Sequence, residues 1–253
     1  MSCCVVIPVY NHGAAIGAVV AAVRAHALPC LLVDDGSHAD CAAVLDALAA
    51  ADPAGVSLLR LAQNQGKGGA MLAGLRAAHA AGYSHALQID ADGQHNCADI
   101  PLFLQCSDHF PAAIVCGCPL FDDSVPRSRF YGRYLTHACV WLQTLSFAIR
   151  DSMCGFRLYP LAATVALLDS VRIGRRMDFD TDIIVRLFWR DVPVINLLTR
   201  VTYPSDGVSH FRMWRDNLLM IRLHIRLLAG MLPRAPRLIW RSIRRQALRP
   251  AGR

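Results

Sequence analysis

Three segments hold side chains whose types and spacing could do chemistry. Leu87-Gln88-Ile89-Asp90-Ala91-Asp92-Gly93-Gln94-His95 ends an apolar run in two carboxylates one residue apart. Acids so spaced at a strand tip can turn toward one cation. Mg2+ or Mn2+ suits them, because both ions prefer carboxylate, water and phosphate oxygens. A cation there would offset the charge of a departing diphosphate. Val33-Asp34-Asp35-Gly36-Ser37 repeats the design: its acids can accept hydrogen bonds from a base N–H or from ribose hydroxyls, and Gly36 permits a tight turn. Asn64-Gln65-Gly66-Lys67-Gly68-Gly69 carries the only lysine of the chain just ahead of a helical stretch. Backbone N–H groups and Lys67 can face phosphate or ribose from such a turn, although its spacing is not that of a Walker loop.

These segments need elements to position them. Short apolar runs at 3–9, 30–33, 57–61 and 85–89 alternate with Ala-rich helical stretches at 14–25, 41–51 and 68–81. Buried strands separated by helices predict a mostly parallel, doubly wound α/β sheet. Ligands on such sheets sit at the carboxyl ends of the strands, where the polar segments fall. Past residue 100 the pattern predicts a helix starting at 100–104, a strand at 113–116, a long apolar helix at 133–149, another helix at 178–190, and a strand pair or extended segment at 192–203.

Composition sets the outer bounds. A chain of 253 residues suffices for one large α/β domain with a sizeable core. Ten Cys without a CxxC pair read as free thiols in a reducing compartment. The opening residues read as a buried strand instead of a signal peptide, and no uncharged apolar run is long enough to span a bilayer. The formal charge of +7 is unevenly placed: residues 212–253 hold eleven Arg and one acid, Asp216, leaving about −3 on residues 1–211. A basic tail on an acidic body points to phosphates or an anionic membrane surface and away from nucleic acid.

Pro8-Val9-Tyr10-Asn11, Val33-Asp34-Asp35-Gly36-Ser37, Asn64-Gln65-Gly66-Lys67-Gly68 and Asp90-Ala91-Asp92-Gly93-Gln94-His95, in this order, resemble family 2 glycosyltransferases, especially the dolichyl-phosphate-mannose-synthase-like branch. The resemblance runs over residues 3–210. It implies a GT-A type fold, a Rossmann-like sheet flanked by helices, an inverting transfer, and a nucleoside-diphosphate sugar as donor. It further implies that Pro8, Tyr10, Asn11 and Asp35 or Asp34 surround the base and ribose, and that Asp90, Ala91 and Asp92 line the ribose, metal and diphosphate. Asp151-Ser152-Met153-Cys154-Gly155-Phe156-Arg157 resembles the family segment beside the acceptor site. Gly155 would there let backbone approach the sugar, and Arg157 would contact phosphate.

Asp178-Phe179-Asp180-Thr181-Asp182 resembles the acidic segment near the family's active site. An inverting transfer to a hydroxyl needs a carboxylate to take its proton, and crowding by other carboxylates can raise a pKa toward a useful value. Asp180 and Asp182 are both candidates, while an acceptor that is already an ionised phosphate needs no base. Gly207-Val208-Ser209-His210-Phe211-Arg212 resembles the segment that closes over the donor diphosphate, so His210 and Arg212 would neutralise the departing phosphates.

From Trp214 to Leu232 the residues Leu218, Ile221, Ile225, Leu228 and Leu232 recur at helical spacing, with Arg215, Arg222 and Arg226 on one stripe. Arg237–Arg249 continues as a second basic amphipathic piece with Trp240. Such helices can lie in a lipid interface, or pack on the domain with a solvated basic face. The expected organisation is a glycosyltransferase domain at 1–211, with a nucleotide-sugar half at 1–99 and an acceptor half at 100–211, and a tail at 212–253. The expected protein is cytoplasmic and peripheral at the inner face of the membrane, with a lipid-linked acceptor. The end of the chain also resembles bacterial glycosyltransferases encoded with lipid acyltransferases and aryl-polyene pigment genes, which implies a polyene-type or lipid acceptor. Two other classes compete: a nucleotidyltransferase, which would require a basic signature that residues 8–17 lack, and a non-catalytic nucleotide-sugar-binding protein.

Overall fold

The computed structural model describes residues 1–120, 127–201 and 213–247. The first half follows the alternation of the sequence: β1 (Cys3–Val9), α1 (Gly13–Arg24), β2 (Cys30–Asp34), α2 (Ala39–Ala51), β3 (Val56–Arg60), α3 (Lys67–Ala80) and β4 (His85–Gln88). Then come α4 (Ile100–His109), β5 (Ile114–Leu120), α5 (Arg127–Thr144), β6 (Arg157–Pro160), α6 (Leu161–Ser170), α7 (Phe179–Trp189), β7 (Val194–Arg200), α8 (Met213–Met231) and α9 (Ala235–Ala247). The seven strands form one sheet in the order β3-β2-β1-β4-β6-β5-β7, which runs through both expected halves. All pairings are parallel except those of β6, which runs antiparallel between β4 and β5.

Helices cover both faces, so β1 is apolar without alternation. Cys3, Val5, Ile7 and Val9 pack with Ile16, Val19 and Val23 of α1, Leu45 of α2 and Phe103 of α4. Cys4 and Val6 face the other side, against Ala70, Met71 and Leu75 of α3. Gly74 lets α3 lie close to the sheet, since a Cβ there would fall 2.5 Å from Val6 Cγ1. Register aligns Val9 with Asp34 and Asp34 with Arg60, so the first three strand tips end level. All ten cysteines are free.

The second half departs from expectation in two places. The helix expected at 133–149 starts earlier and stops at Thr144, because Leu145 takes a left-handed φ of 47° and the chain turns back. Trp141 Nε1 holds that return by donating to the Ile149 carbonyl at 2.9 Å. Of the strand pair or extended segment read at 192–203, the described residues hold the extended alternative, the single strand β7. Residues 157–170 supply a strand and a helix, β6 and α6, in a stretch for which the sequence pattern gave no element.

Helix α8 has two apolar stripes. Leu223, Leu227 and Met231 face inward onto the core that includes Trp189, and Gln143 of α5 donates to the His224 carbonyl at 3.1 Å. Trp214, Leu218, Ile221, Ile225 and Leu232 face outward, with Trp214 90% and Ile225 63% exposed. Helix α9 repeats the arrangement: Leu238 is buried, and Ile239, Trp240 and Ile243 are exposed. The tail therefore packs on the domain, but its outward side is an apolar stripe edged by Arg instead of a purely basic face. Among the described residues, no helix is long and apolar enough to cross a membrane.

Candidate active site

The tips of β1 and β2 and the turn before α3 are tied together by side chains. Asn11 adopts φ 57°, a left-handed conformation that Asn tolerates. Its Oδ1 accepts the His38 N–H at 2.8 Å, and its own N–H donates to Ser37 Oγ at 3.1 Å. Asp34 is 1% exposed and accepts from the Ser37 N–H at 2.9 Å and from Arg60 Nε at 2.9 Å. Burial pushes its pKa up, but these donors outweigh it and hold the carboxyl below its ordinary value. Asp35 receives the Gln65 N–H at 2.7 Å on one oxygen and the Gly66 N–H at 2.8 Å on the other. Burial raises its pKa against those bonds. The structure thus gives Asp34 to the framework and makes Asp35 the clamp that fixes the turn before Lys67. Pro8 and Tyr10 are half-buried beside them.

Lys67 opens α3 and points into the centre of the site. Its Nζ lies 2.9 Å from Asp90 Oδ2 and 2.9 Å from Asp180 Oδ2, joining the ends of β4 and α7. Burial alone would lower the lysine pKa, yet the charges of Asp180 and Asp90 raise it, so the amine stays an ammonium. Burial likewise opposes the charge on Asp90, but Lys67 and His95, whose Nε2 is 3.6 Å from Asp90 Oδ2, hold it well below the usual carboxylate range. Asp92 behaves oppositely: burial, and then the neighbouring Asp90 charge, raise its pKa. Among the described residues Asp92 Oδ1 accepts only the Gln94 N–H, at 3.1 Å, in a turn made possible by Gly93 at φ 72°. Ala91 is buried between the two acids.

Gly155 serves this cluster differently from the expectation that it would meet a sugar. A Cβ there would lie 2.2 Å from Asp90 Oδ2, so the missing side chain is the space in which the Asp90 carboxylate sits. Arg157 is also corrected. It is fully buried on β6 and donates to the Asp180 carbonyl, its Nε and the other terminal nitrogen lacking partners, so it cannot reach a phosphate. A buried guanidinium is costly and persists only where neighbours compensate it; here it braces the start of α7.

The two candidate bases separate. Asp182 is fully buried, with Oδ1 taken by Arg186 at 2.5 Å and Oδ2 by the Gly174 N–H at 2.9 Å and Arg226 at 2.7 Å. No acceptor hydroxyl can reach it, and its expected part as a base is withdrawn. Asp180 faces the centre, next to Lys67, and its Oδ1 accepts from Gln88 Nε2 at 3.1 Å. Gln88 in turn accepts from Tyr159 OH at 2.9 Å. His210 and Arg212 lie outside the described residues.

Sequence reasoning did not assign parts to Gln88, His95, Tyr159 or Arg226. Gln88 carried a readable signal, since an amide in an otherwise apolar central strand must find partners when buried. His95 sat in the Asp90 segment without an assigned partner. Arg226 had been read as one of a surface stripe.

The site can accommodate a divalent cation of the kind that takes most of its ligands from water and phosphate. Asp90 Oδ1 is buried without a partner, and Asp92 beside it is half-buried with a single hydrogen bond. Among the described residues no group of three or more His, Cys or Asp side chains forms a closed metal cage. One or two carboxylates completed by substrate oxygens is the usual arrangement for Mg2+.

Comparison with known proteins agrees with this geometry. The family model described as glycosyl transferase family 2 matches residues 4–164. A dolichyl-phosphate beta-glucosyltransferase of Dictyostelium discoideum is 27% identical over 79% of this chain, and the match spans 63% of that relative's own length. A polyprenol monophosphomannose synthase of Mycolicibacterium smegmatis is 37% identical over 41% of this chain and 40% of its own. Glucosyl-3-phosphoglycerate synthase of Mycobacterium tuberculosis, solved with Mn2+ and uridine-diphosphate-glucose, superposes with a TM-score of 0.65 at 16% identity, over 91% of this chain and 78% of that one. The fold is thus the α/β GT-A type of glycosyltransferase structures.

Proposed function

We infer the function of this chain from the family it belongs to, glycosyl transferase family 2, and from the geometry of its site: it moves a sugar from a nucleoside-diphosphate sugar to a lipid-linked acceptor at a membrane surface, with inversion at the anomeric carbon. The observation that carries this reading is the meeting of Asp90, Asp92, Lys67 and Asp180 at the carboxyl end of the sheet.

In this reading Tyr10, Asn11 and the turn held by Asp35 form the side of the cleft that takes base and ribose. Asp90 and Asp92 would hold Mg2+ or Mn2+, which when bound supplies positive charge to the diphosphate. Lys67 keeps Asp90 ionised and Asp180 oriented. An acceptor oxygen forms the new bond to the anomeric carbon while the bond from that carbon to the diphosphate oxygen breaks and the nucleotide leaves with the electron pair. Where the acceptor is a hydroxyl, Asp180 takes its proton; where it is a phosphate monoester, that oxygen is already anionic and Asp180 only positions it. The names of the Dictyostelium and Mycolicibacterium relatives support a polyprenyl-type phosphate as acceptor, and a polyene-type lipid remains the competing acceptor.

A thermal-shift panel of UDP-glucose, GDP-mannose and a CDP-sugar, with and without Mn2+, tests the donor side, because a ligand that binds the folded state stabilises it by mass action. One nucleotide should raise Tm by several degrees and Mn2+ should enlarge the shift. No shift with any of them would sink the reading.

The outward stripes of α8 and α9 support peripheral attachment to an anionic bilayer, with Trp214, Ile221, Ile225 and Trp240 entering the interface and Arg215, Arg222 and Arg244 at its edge. Deleting α8 would uncover Leu223, Leu227 and Met231, so substitution is the cleaner test. Each exposed isoleucine that enters lipid contributes about 1.5–3 kcal/mol. Ile221→Glu with Ile225→Glu should therefore weaken sedimentation with phosphatidylglycerol-containing vesicles at least tenfold while leaving the melting temperature unchanged. Unaltered sedimentation would remove the lipid-facing role of α8.

A further inference from the structure

We propose that Arg226, on the lipid-facing helix α8, is a positioning residue for the transfer reaction: it acts through Asp182 to hold the loop that fixes Lys67 against Asp90 and Asp180. This rests on the function proposed above.

The chain of contacts is continuous. Arg226 donates to Asp182 Oδ2 at 2.7 Å, and the same oxygen accepts the Gly174 N–H at 2.9 Å. Asp182 is fully buried, so its charge demands fixed partners. The loop it holds, from Gly174 to Arg176, lies directly on the glycine turn that carries Lys67. The Arg175 carbonyl accepts the Gly69 N–H at 2.8 Å, and a Cβ on Gly68 would fall 2.6 Å from the Gly174 carbonyl oxygen. Gly66 has φ +88° and the Arg175 carbonyl 2.7 Å from where its Cβ would be, so this contact also admits only glycine. The turn is therefore held at two ends: Asp35 binds Gln65 and Gly66, and Arg175 binds Gly69. The loop held through Asp182 also reaches the first end, where Arg175 Nη1 donates to Gln65 Oε1 at 3.2 Å, but there Asp35 binds the turn independently of Arg226.

The remaining partners of Asp182 decide what its loss does. Arg186 stays at 2.5 Å on the other carboxylate oxygen, so the buried charge keeps a counterion and the fold survives. The Arg226 side chain itself is 48% exposed, and removing it opens no cavity in the core. What disappears is the second restraint on Oδ2; the Gly174 N–H and the Asp178 bond to the Arg176 N–H remain, so the loop loosens without being released. The base-and-ribose side, held by Asp35 and Asn11, stays unchanged. Loss of position at the reacting centre, with binding intact elsewhere, appears in kcat.

The test uses the full chain with Mn2+, UDP-glucose or GDP-mannose according to which of them binds, and phytanyl phosphate in mixed micelles. Arg226→Ala should lower kcat about tenfold or more, an effect of the size that slight misplacement of reacting groups produces. The dissociation constant for the free nucleoside diphosphate should stay within twofold of wild type, and Arg226→Lys should recover most of the rate. Hydrogen exchange supplies a readout independent of the reaction: the amides of Gly174 and Gly69 should exchange faster in Arg226→Ala than in wild type, and slow again in Arg226→Lys. Unchanged kcat together with unchanged exchange overturns the proposal, and so does an equal fall in nucleotide affinity and kcat. Wild-type protein that transfers no sugar, with exchange faster in Arg226→Ala, would overturn the proposed reaction while leaving the structural link from Arg226 to the Lys67 turn in place.

Discussion

Asp92→Ala is expected to reduce transfer by about a thousandfold or more, on the scale at which loss of one charge-stabilising group at a reacting centre is felt, while the protein remains folded. The two halves of that expectation have separate causes. In the structure Asp92 accepts a single hydrogen bond, from the Gln94 N–H, and is half-buried at the edge of the cleft. Losing it costs about 1 kcal/mol of stability, and part of that is returned because the neighbouring Asp90 charge no longer repels it. For the reaction Asp92 is the least committed carboxylate of the cluster, since Lys67 and His95 occupy Asp90 Oδ2 and Lys67 and Gln88 occupy Asp180. Under the proposed function it would be the carboxylate that joins Asp90 in holding the cation. Kinetics with increasing Mn2+ and a parallel melting curve check both halves, and full activity at ordinary Mn2+ would remove the cation from the reaction.

The second large effect belongs to a residue with no functional group. Gly155→Ala should cost about a hundredfold in kcat/KM, because its Cβ would stand 2.2 Å from Asp90 Oδ2 and the carboxylate must swing away. Asp90 is the shared partner of Lys67 and His95, so the displacement would break both contacts at once. Moving a reacting group by about 1 Å is enough for an effect of that order. The backbone at Gly155 does not have a left-handed φ, so the substitution carries no backbone penalty of its own, but breaking the largely buried Lys67–Asp90 pair should lower Tm as well. A crystal structure of the variant with the Asp90 carboxylate unmoved, together with wild-type rates, would refute the account.

Much of this arrangement could be read from the residues. The apolar runs that became β1, β2 and β4 are buried on both faces, and that demands a continuous hydrophobic stretch without relying on distant partners. The polar strand ends were legible too: Asp34 and Asp35 end the apolar run of β2, Asp90 and Asp92 close that of β4, and Lys67 stands in a glycine-rich turn between β3 and a helical stretch. What could not be read was which of two neighbouring acids faces the cleft. Asp180 and Asp182 differ by two positions on a helix, about 200° of rotation, and only the packing of α7 against β4 on one side and α8 on the other decides that Asp180 meets Lys67 while Asp182 meets Arg226.

Arg157 was misjudged by the same route. An arginine two residues after a glycine invites a surface role, and nothing local reveals that β6 is inserted antiparallel between two central strands with Gln88 on one side and Cys116 on the other. The periodicity of α8 misled in a subtler way. Of its most regular apolar series, Leu218, Ile221, Ile225, Leu228 and Leu232, all but Leu228 face outward, while Leu228 packs on the core beside Leu223, Leu227 and Met231. A helix with two apolar stripes has no single amphipathic direction, so the sequence alone does not say which stripe is covered.

The cations along the edge of α8 and α9 are arginines without exception. A guanidinium does not give up its proton at any pH a folded protein survives, so this flank carries permanent charge. In the attachment proposed for this flank, raising the pH should change nothing, whereas ionic strength, by screening over about 10 Å at 0.1 M, should loosen the electrostatic share and leave the grip of the tryptophans and isoleucines behind.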